Sequence, residues 1–173
     1  MNIILTGFMG TGKTLVGKEL AKGLKMSYLD TDELIEKREK AKICRIFQEK
    51  GEDYFRRLET KIIKEVSSLD RCVISTGGGA ILKKENLAAL KRKGVIICLS
   101  ANPKVILERT RKSQNRPLLK SKDPKSRVLD LLGQRRSFYE KADFKVDTSE
   151  LTTSEVVERI VDFLRKKSGN NQG

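Results

Sequence analysis

Residues Gly7 to Thr14, "GFMGTGKT", satisfy the pattern G-x-x-x-x-G-K-[ST] in full. Glycines at these positions let backbone amides turn inward around anionic oxygens. The lysine adds a cation and the threonine a hydroxyl. Together they suit a nucleoside triphosphate, with Lys13 reaching the β- and γ-phosphates and Thr14 ligating Mg²⁺. The apolar run "NIILT" precedes the motif, and Val16, Leu20 and Leu24 follow it on one helical face. This setting aims the positive end of a helix at the phosphates. A glycine-rich turn carrying an incidental lysine would lack it. The predicted nucleotide contacts are Gly10, Thr11, Gly12, Lys13, Thr14 and Leu15.

The remaining candidates concern an acceptor. Asp30-Thr31-Asp32 closes a strand-like run; in extended chain, side chains at i and i+2 share a side. One carboxylate could then orient the magnesium shell while the other meets an acceptor hydroxyl. Turn-and-cap chemistry is the alternative. In "FRRLE", Arg56 and Glu59 fall on one helical face, so the carboxylate can fix the guanidinium as a bidentate carboxylate receptor. A surface ion pair is the other reading. Gly77, Gly78 and Gly79 directly follow "CVIST" and suggest close approach of a ligand to the backbone, or a flexible turn. No aspartate ends that run, which leaves Asp30 as the candidate for the metal's shell. Arg116 of "RPLL" lies in a basic stretch and could neutralise a transferring phosphoryl, or be a solvated loop arginine. Arg135 and Arg136 of "QRRSFY" offer a second anion clamp, or ordinary helix-surface charge. The chain has no histidine, so proton transfer must use carboxylate, lysine, tyrosine or cysteine.

The elements that must position these groups follow an alternating order. Residues 2–6, 26–30, 72–76, 95–99 and 144–148 are β-branched strand-like runs. Between and after them lie helical patterns, including Val156, Val157, Ile160, Val161 and Leu164 behind a capping box at Thr152 and Glu155. Alternation of this kind predicts a doubly wound five-stranded parallel sheet flanked by helices, with its sites beyond the strands' carboxyl ends. The expected organisation is one domain over residues 1–167. Residues 31–62 form a charged helical insertion broken at Gly51, residues 110–125 a mobile lid, and residues 168–173 a polar tail.

The 173 residues suffice for one core, and 35% charged residues with no apolar run near the roughly 18 needed to span a bilayer argue against a membrane protein. "MNIILTGF" has neither a basic region nor a cleavage site, so it is not read as a secretory signal. Cys44, Cys72 and Cys98 lack metal-like spacing and are expected as buried free thiols, which implies a reducing cytoplasm. Net charge is +14, consistent with a polyanionic partner. Eight Lys/Arg against one acid, Asp123, crowd residues 109–127, which points to nucleotide. Without tryptophan a base-stacking surface for nucleic acid is poorly supported.

Together "GFMGTGKT", "LDTD", "FRRLE", "TGGGA", "RPLL", "QRRSFY" and "VDT", in order from about Ile3 to Leu164, resemble the shikimate kinases. The Walker pattern is shared very widely; the joint set is highly specific. The resemblance implies a P-loop kinase fold of the nucleoside-monophosphate-kinase type. It implies transfer of the ATP γ-phosphoryl to the 3-hydroxyl of shikimate, a step toward chorismate and the aromatic amino acids, with Mg²⁺. By motif, Asp32 would bind the substrate hydroxyls and act as base. Arg56 and Arg135 would clamp the carboxylate, Glu59 would support Arg56 and the glycine turn, and Gly78 and Gly79 would touch substrate through their backbone. Arg116 would be the lid arginine on ATP, Lys13 and Asp32 its catalytic companions. Arg109 would lie against adenine, and Val146 to Thr148 would open the adenine loop. Beyond it "SELTTSE" lacks a proline frequent in relatives, so no adenine contact is carried over there. A monomer without nucleic-acid or membrane partners follows. The rivals are a P-loop kinase of another small acceptor, such as gluconate or a nucleoside monophosphate, and a non-catalytic nucleotide- or nucleic-acid-binding module.

Overall fold

The structure, a computed structural model, describes residues 1–111 and 123–169. The β-branched runs form five strands among these residues: Asn2–Gly7 (β1), Ser27–Asp30 (β2), Cys72–Ser75 (β3), Gly94–Ser100 (β4) and Phe144–Asp147 (β5). Each matches its predicted run to within one residue at either end. All pair in parallel, in the order β2-β3-β1-β4-β5.

Register then sorts the side chains. Ile4 lies beside Ile74 and Ile96, and Ile3 beside Val73 and Val95. Because successive residues point to opposite faces, the sheet buries two apolar clusters. Ile4, Ile74 and Ile96 face one core with Ile35 of the helix Thr31–Glu39 (α2), Ile62 and Ile63 of Ile43–Ser68 (α3), and Leu90 of Lys84–Lys93 (α4). Ile106 of Pro103–Thr110 (α5) and Val128 of Pro124–Tyr139 (α6) complete it. Ile3, Leu5, Val73 and Val95 face Val16 and Leu20 of Lys13–Leu24 (α1), and Val156 and Ile160 of Thr153–Gly169 (α7).

Gly51 breaks the helical segment as its spacing suggested, with φ 79° and ψ 170°. Helix continues past 62 to Ser68, because Ile62, Ile63 and Val66 keep a buried stripe while Lys61, Lys64 and Glu65 stay in solvent. The capping box at α7 is formed: Thr152 N–H donates to Glu155 Oε2 at 2.7 Å, and Glu155 N–H to Thr152 Oγ1 at 3.3 Å. Of the basic stretch 110–125, Thr110 closes α5, and Asp123 caps α6 through the amides of Lys125 and Ser126. Cys72 and Cys98 are buried free thiols; Cys44, expected buried, is only half-buried, in the first turn of α3. No helix of the described residues is long and apolar enough to cross a membrane.

Candidate active site

The loop after β1, the end of β2 and the glycine turn after β3 all lie at the carboxyl ends of adjacent strands, where open α/β sheets bind ligands. Gly10 and Gly12 take φ of 81° and 91°, a backbone shape that costs glycine nothing. Lys13 folds its ammonium across the loop and donates to the carbonyls of Gly7 and Phe8, 2.9 Å each. A cavity of about 480 Å³ opens beside the loop. It is lined by Gly10 to Val16, by Arg109, and by Thr148, Leu151, Thr153 and Val156. All six predicted loop contacts, Leu15 included, border it.

Arg109 closes one wall of this cavity. It donates to Thr148 Oγ1 at 3.1 Å, to the Thr148 carbonyl at 2.9 Å and to the Gly10 carbonyl at 3.3 Å. The Thr148 hydroxyl also lies 3.1 Å from the Thr11 and Ser100 carbonyls. The segment following β5 is thereby tied to the phosphate loop. Leu151, Thr153 and Val156 were not read from sequence as site residues, Val156 being placed only on the apolar face of a helix; the signal available was the capping box, which marks where α7 begins.

Asp30 and Asp32 do not share a side of an extended strand. Strand ends at Asp30, and helix α2 starts at Thr31. The reason is local: Asp30 caps α2, its Oδ1 accepting from the amides of Asp32 at 3.0 Å and Glu33 at 3.4 Å. Capping and site geometry coexist in this one carboxylate. Its Oδ2 accepts from the Tyr28 hydroxyl at 3.1 Å and stands 3.5 Å from Thr14 Oγ1. Burial pushes the Tyr28 phenol up to about 12, so it is the donor in that contact. The pair of oxygen donors, Thr14 Oγ1 and Asp30 Oδ2, suits Mg²⁺, which keeps several waters and takes few protein ligands. Among the described residues no group of three or more His, Cys, Asp or Glu could hold a metal by itself.

The glycine turn brings the acceptor candidates together. A Cβ on Gly77 would fall 2.7 Å from Asp32 Oδ1 and 2.9 Å from Glu59 Oε1. On Gly78 it would fall 3.2 Å from Arg135 Nη1, and on Gly79 2.8 and 2.9 Å from Arg56 Nη1 and Nη2. Two carboxylates and two guanidiniums from three helices thus press against one turn, and a side chain on any of its three glycines would make them shift. Arg56 is fixed from both ends. Glu59 Oε2 accepts from Nη1 at 2.8 Å, and Glu52 Oε1 accepts from Nε at 3.2 Å and Nη2 at 3.1 Å. Glu52, four residues before Arg56, escaped the sequence reading although i,i+4 spacing signals such a pair.

Burial separates the two arginines of "QRRSFY". Arg135 is buried, its guanidinium 5.4 Å from the centroid of the Phe8 ring. Arg136 is 82% exposed and pairs with Glu140. Burial pushes the Glu59 carboxyl above its ordinary value, against the pull of Arg56 and then Arg135 and Lys83. Among the described residues, Glu59 Oε1, an acceptor, and Arg135 Nη1, a donor, are buried without a hydrogen-bond partner, as groups that face a polar ligand can be. The turn itself is held by side chains. Tyr139 donates to the Gly78 carbonyl at 2.8 Å, Asn86 to the Ala80 carbonyl at 2.9 Å, and Thr31 Oγ1 accepts from Gly77 N–H at 3.2 Å. Arg116 lies outside the described residues.

The family model for shikimate kinase matches residues 9–165. The chain belongs to the shikimate kinase family. A shikimate kinase of Caldanaerobacter subterraneus subsp. tengcongensis is 45% identical over 168 residues, covering 97% of this chain and 98% of the relative. The shikimate kinase of Thermodesulfovibrio yellowstonii is 49% identical over 160 residues, 92% of each chain. The solved shikimate kinase of Acinetobacter baumannii in complex with shikimate matches with a TM-score of 0.93 at 36% identity, covering 96% of this chain and 93% of that one. As a shikimate kinase the chain is an ATP-dependent transferase with the P-loop kinase fold, and the non-catalytic and other-acceptor readings are not favoured.

Proposed function

We infer that the chain transfers the γ-phosphoryl of ATP to the 3-hydroxyl of shikimate, releasing ADP and shikimate 3-phosphate. The observation that carries this reading is the convergence of Asp32, Glu59, Arg56 and Arg135 on the Gly77–Gly79 turn, beside the phosphate loop. A small acid with vicinal hydroxyls needs cations for its carboxylate and a carboxylate for its hydroxyls. Arg56 and Arg135 would grip the carboxylate, and the backbone of Gly78 and Gly79 would lie against the ring. Asp32 would orient the 3-hydroxyl and accept its proton as oxygen bonds to the γ-phosphorus and the bridge to the β-phosphate breaks. Transfer through a loose transition state depends mostly on positioning and charge neutralisation, which fits a chain without histidine. Lys13 and the amides of Gly10 to Thr14 would hold the triphosphate, with Arg109 beside the base. Thr14 and Asp30 would hold Mg²⁺, which when bound neutralises phosphate charge. The three free thiols support a cytoplasmic setting.

The test is a coupled assay of ADP release over an acceptor panel. Release should rise with shikimate and stay at background with gluconate or AMP. The reverse selectivity would end the assignment.

A further inference from the structure

Asp30 serves two sides of the site with its two carboxylate oxygens. Oδ1 is committed to the amides that open α2, and Oδ2 faces Thr14. The cap alone leaves the carboxylate free to pivot about its Oδ1 contacts, and the Thr14 hydroxyl, at 3.5 Å, is a weak restraint. The firmer contact on Oδ2 is the Tyr28 hydroxyl at 3.1 Å. Tyr28 precedes Asp30 by two residues in β2, so both side chains leave the same face of the strand. Its ring is seated tightly: a Cβ on Gly17 of α1 would fall 2.6 Å from Tyr28 Cε2. Lys18 Nζ lies 5.7 Å from the ring centroid. Ser75, at the end of β3, donates to the Lys13 carbonyl at 3.3 Å and, with Thr14, adjoins the Tyr28 hydroxyl.

We propose that Tyr28 is a positioning residue for the metal side of the nucleotide site, its hydroxyl setting the rotation of the Asp30 carboxylate toward Thr14. Tyr28 touches neither nucleotide nor acceptor in this role; it acts through Asp30. The hydroxyl, not the ring, is the working part, since the ring's place over Gly17 is kept by phenylalanine. The proposal rests on the reading that Asp30 and Thr14 serve the magnesium ion.

The test measures Mn²⁺ binding to the enzyme–ADP complex, with free Mn²⁺ read by electron paramagnetic resonance, in wild type, Tyr28→Phe, Tyr28→Leu and Asp30→Asn. Tyr28→Phe should weaken Mn²⁺ by roughly tenfold, as loss of an outer-sphere partner does, with Tm and calorimetric shikimate affinity unchanged. Tyr28→Leu should lose Mn²⁺ affinity to the same degree. If Asp30→Asn weakens Mn²⁺ and Tyr28→Phe does not, the proposal fails and the magnesium reading stands. If Asp30→Asn also binds Mn²⁺ normally, the magnesium reading itself fails. If Tyr28→Phe matches wild type while Tyr28→Leu loses affinity, or if Tyr28→Phe weakens shikimate as much as Mn²⁺, the residue is packing only and the proposal is overturned.

Discussion

Glu59 joins Arg56 at 2.8 Å through one oxygen and faces Gly77 with the other, at 1% side-chain exposure. Burial raises its carboxyl above the ordinary value, so this group favours folding below the glutamate range of about 4.3 and loses that contribution as pH rises through its higher folded value. The difference in Tm between wild type and Glu59→Gln, whatever its size, should therefore drift in the variant's favour from pH 4 to 7. Thermal unfolding across that range checks it, and drift the other way would mean the ion pair outweighs burial. Gly79→Ala probes the neighbouring clamp. Its methyl would sit 2.8 and 2.9 Å from the Arg56 nitrogens, closer than any real contact, so guanidinium or turn must move. Displacement of about 1 Å should lower kcat/KM for shikimate by about 10- to 100-fold, with KM for ATP within twofold of wild type. An equal loss for both substrates would point to a collapsed loop. Asp32→Asn tests the base directly: kcat should fall by about 10²–10⁴ while ATP binding by fluorescence titration persists. Near-normal turnover would remove Asp32 from that role.

At the scale of elements, α7 ties stability to the proposed nucleotide site. Its capping box holds the first turn, and Thr153 and Val156 of that turn line the cavity beside the phosphate loop. Thr152→Ala should cost about 1 kcal/mol, or about 2–4 °C in Tm for a chain of this length. KM for ATP should rise with KM for shikimate unchanged; a shift in the shikimate value instead would separate α7 from the nucleotide site. This cap was legible in the sequence because capping boxes, β-branched strands and phosphate loops are local patterns, set by residues a few positions apart. The strand ends and the Gly51 break were legible for the same reason. What was not legible came from contacts across the chain. Helical spacing cannot choose between Arg135 and Arg136; burial against Phe8, 127 positions away in sequence, chooses. Tyr139 reaches Gly78 across 61 positions and Thr148 reaches Thr11 across 137. Of the two readings of Asp30-Thr31-Asp32, the cap is formed and the shared strand side is not, because a cap turns the chain helical at once, which strand periodicity does not anticipate.

At the scale of the whole molecule, both proposed ligand sites rest on one core. Ile46 lies before the Gly51 bend and Phe55, Leu58, Ile62, Ile63 and Val66 after it, yet all belong to the cluster that contains Ile4, Ile74 and Ile96 of the sheet. The segment 31–62 therefore cannot open without baring the sheet's face, and Arg38 on α2 is fastened to Glu65 on α3 at 2.9 and 2.6 Å. Such coupling predicts one cooperative unit rather than a kinase core with a separately melting insertion. Calorimetry should give a single endotherm whose van't Hoff and calorimetric enthalpies agree. Shikimate at about 100 times its Kd should add about 2.7 kcal/mol, moving the whole endotherm up by about 5–10 °C. ATP at equal saturation should do the same, although it occupies a different part of the strand ends. If shikimate split the endotherm and raised only one part, residues 31–62 would be melting on their own, and the shared core would not be what holds the acceptor's binding groups in place.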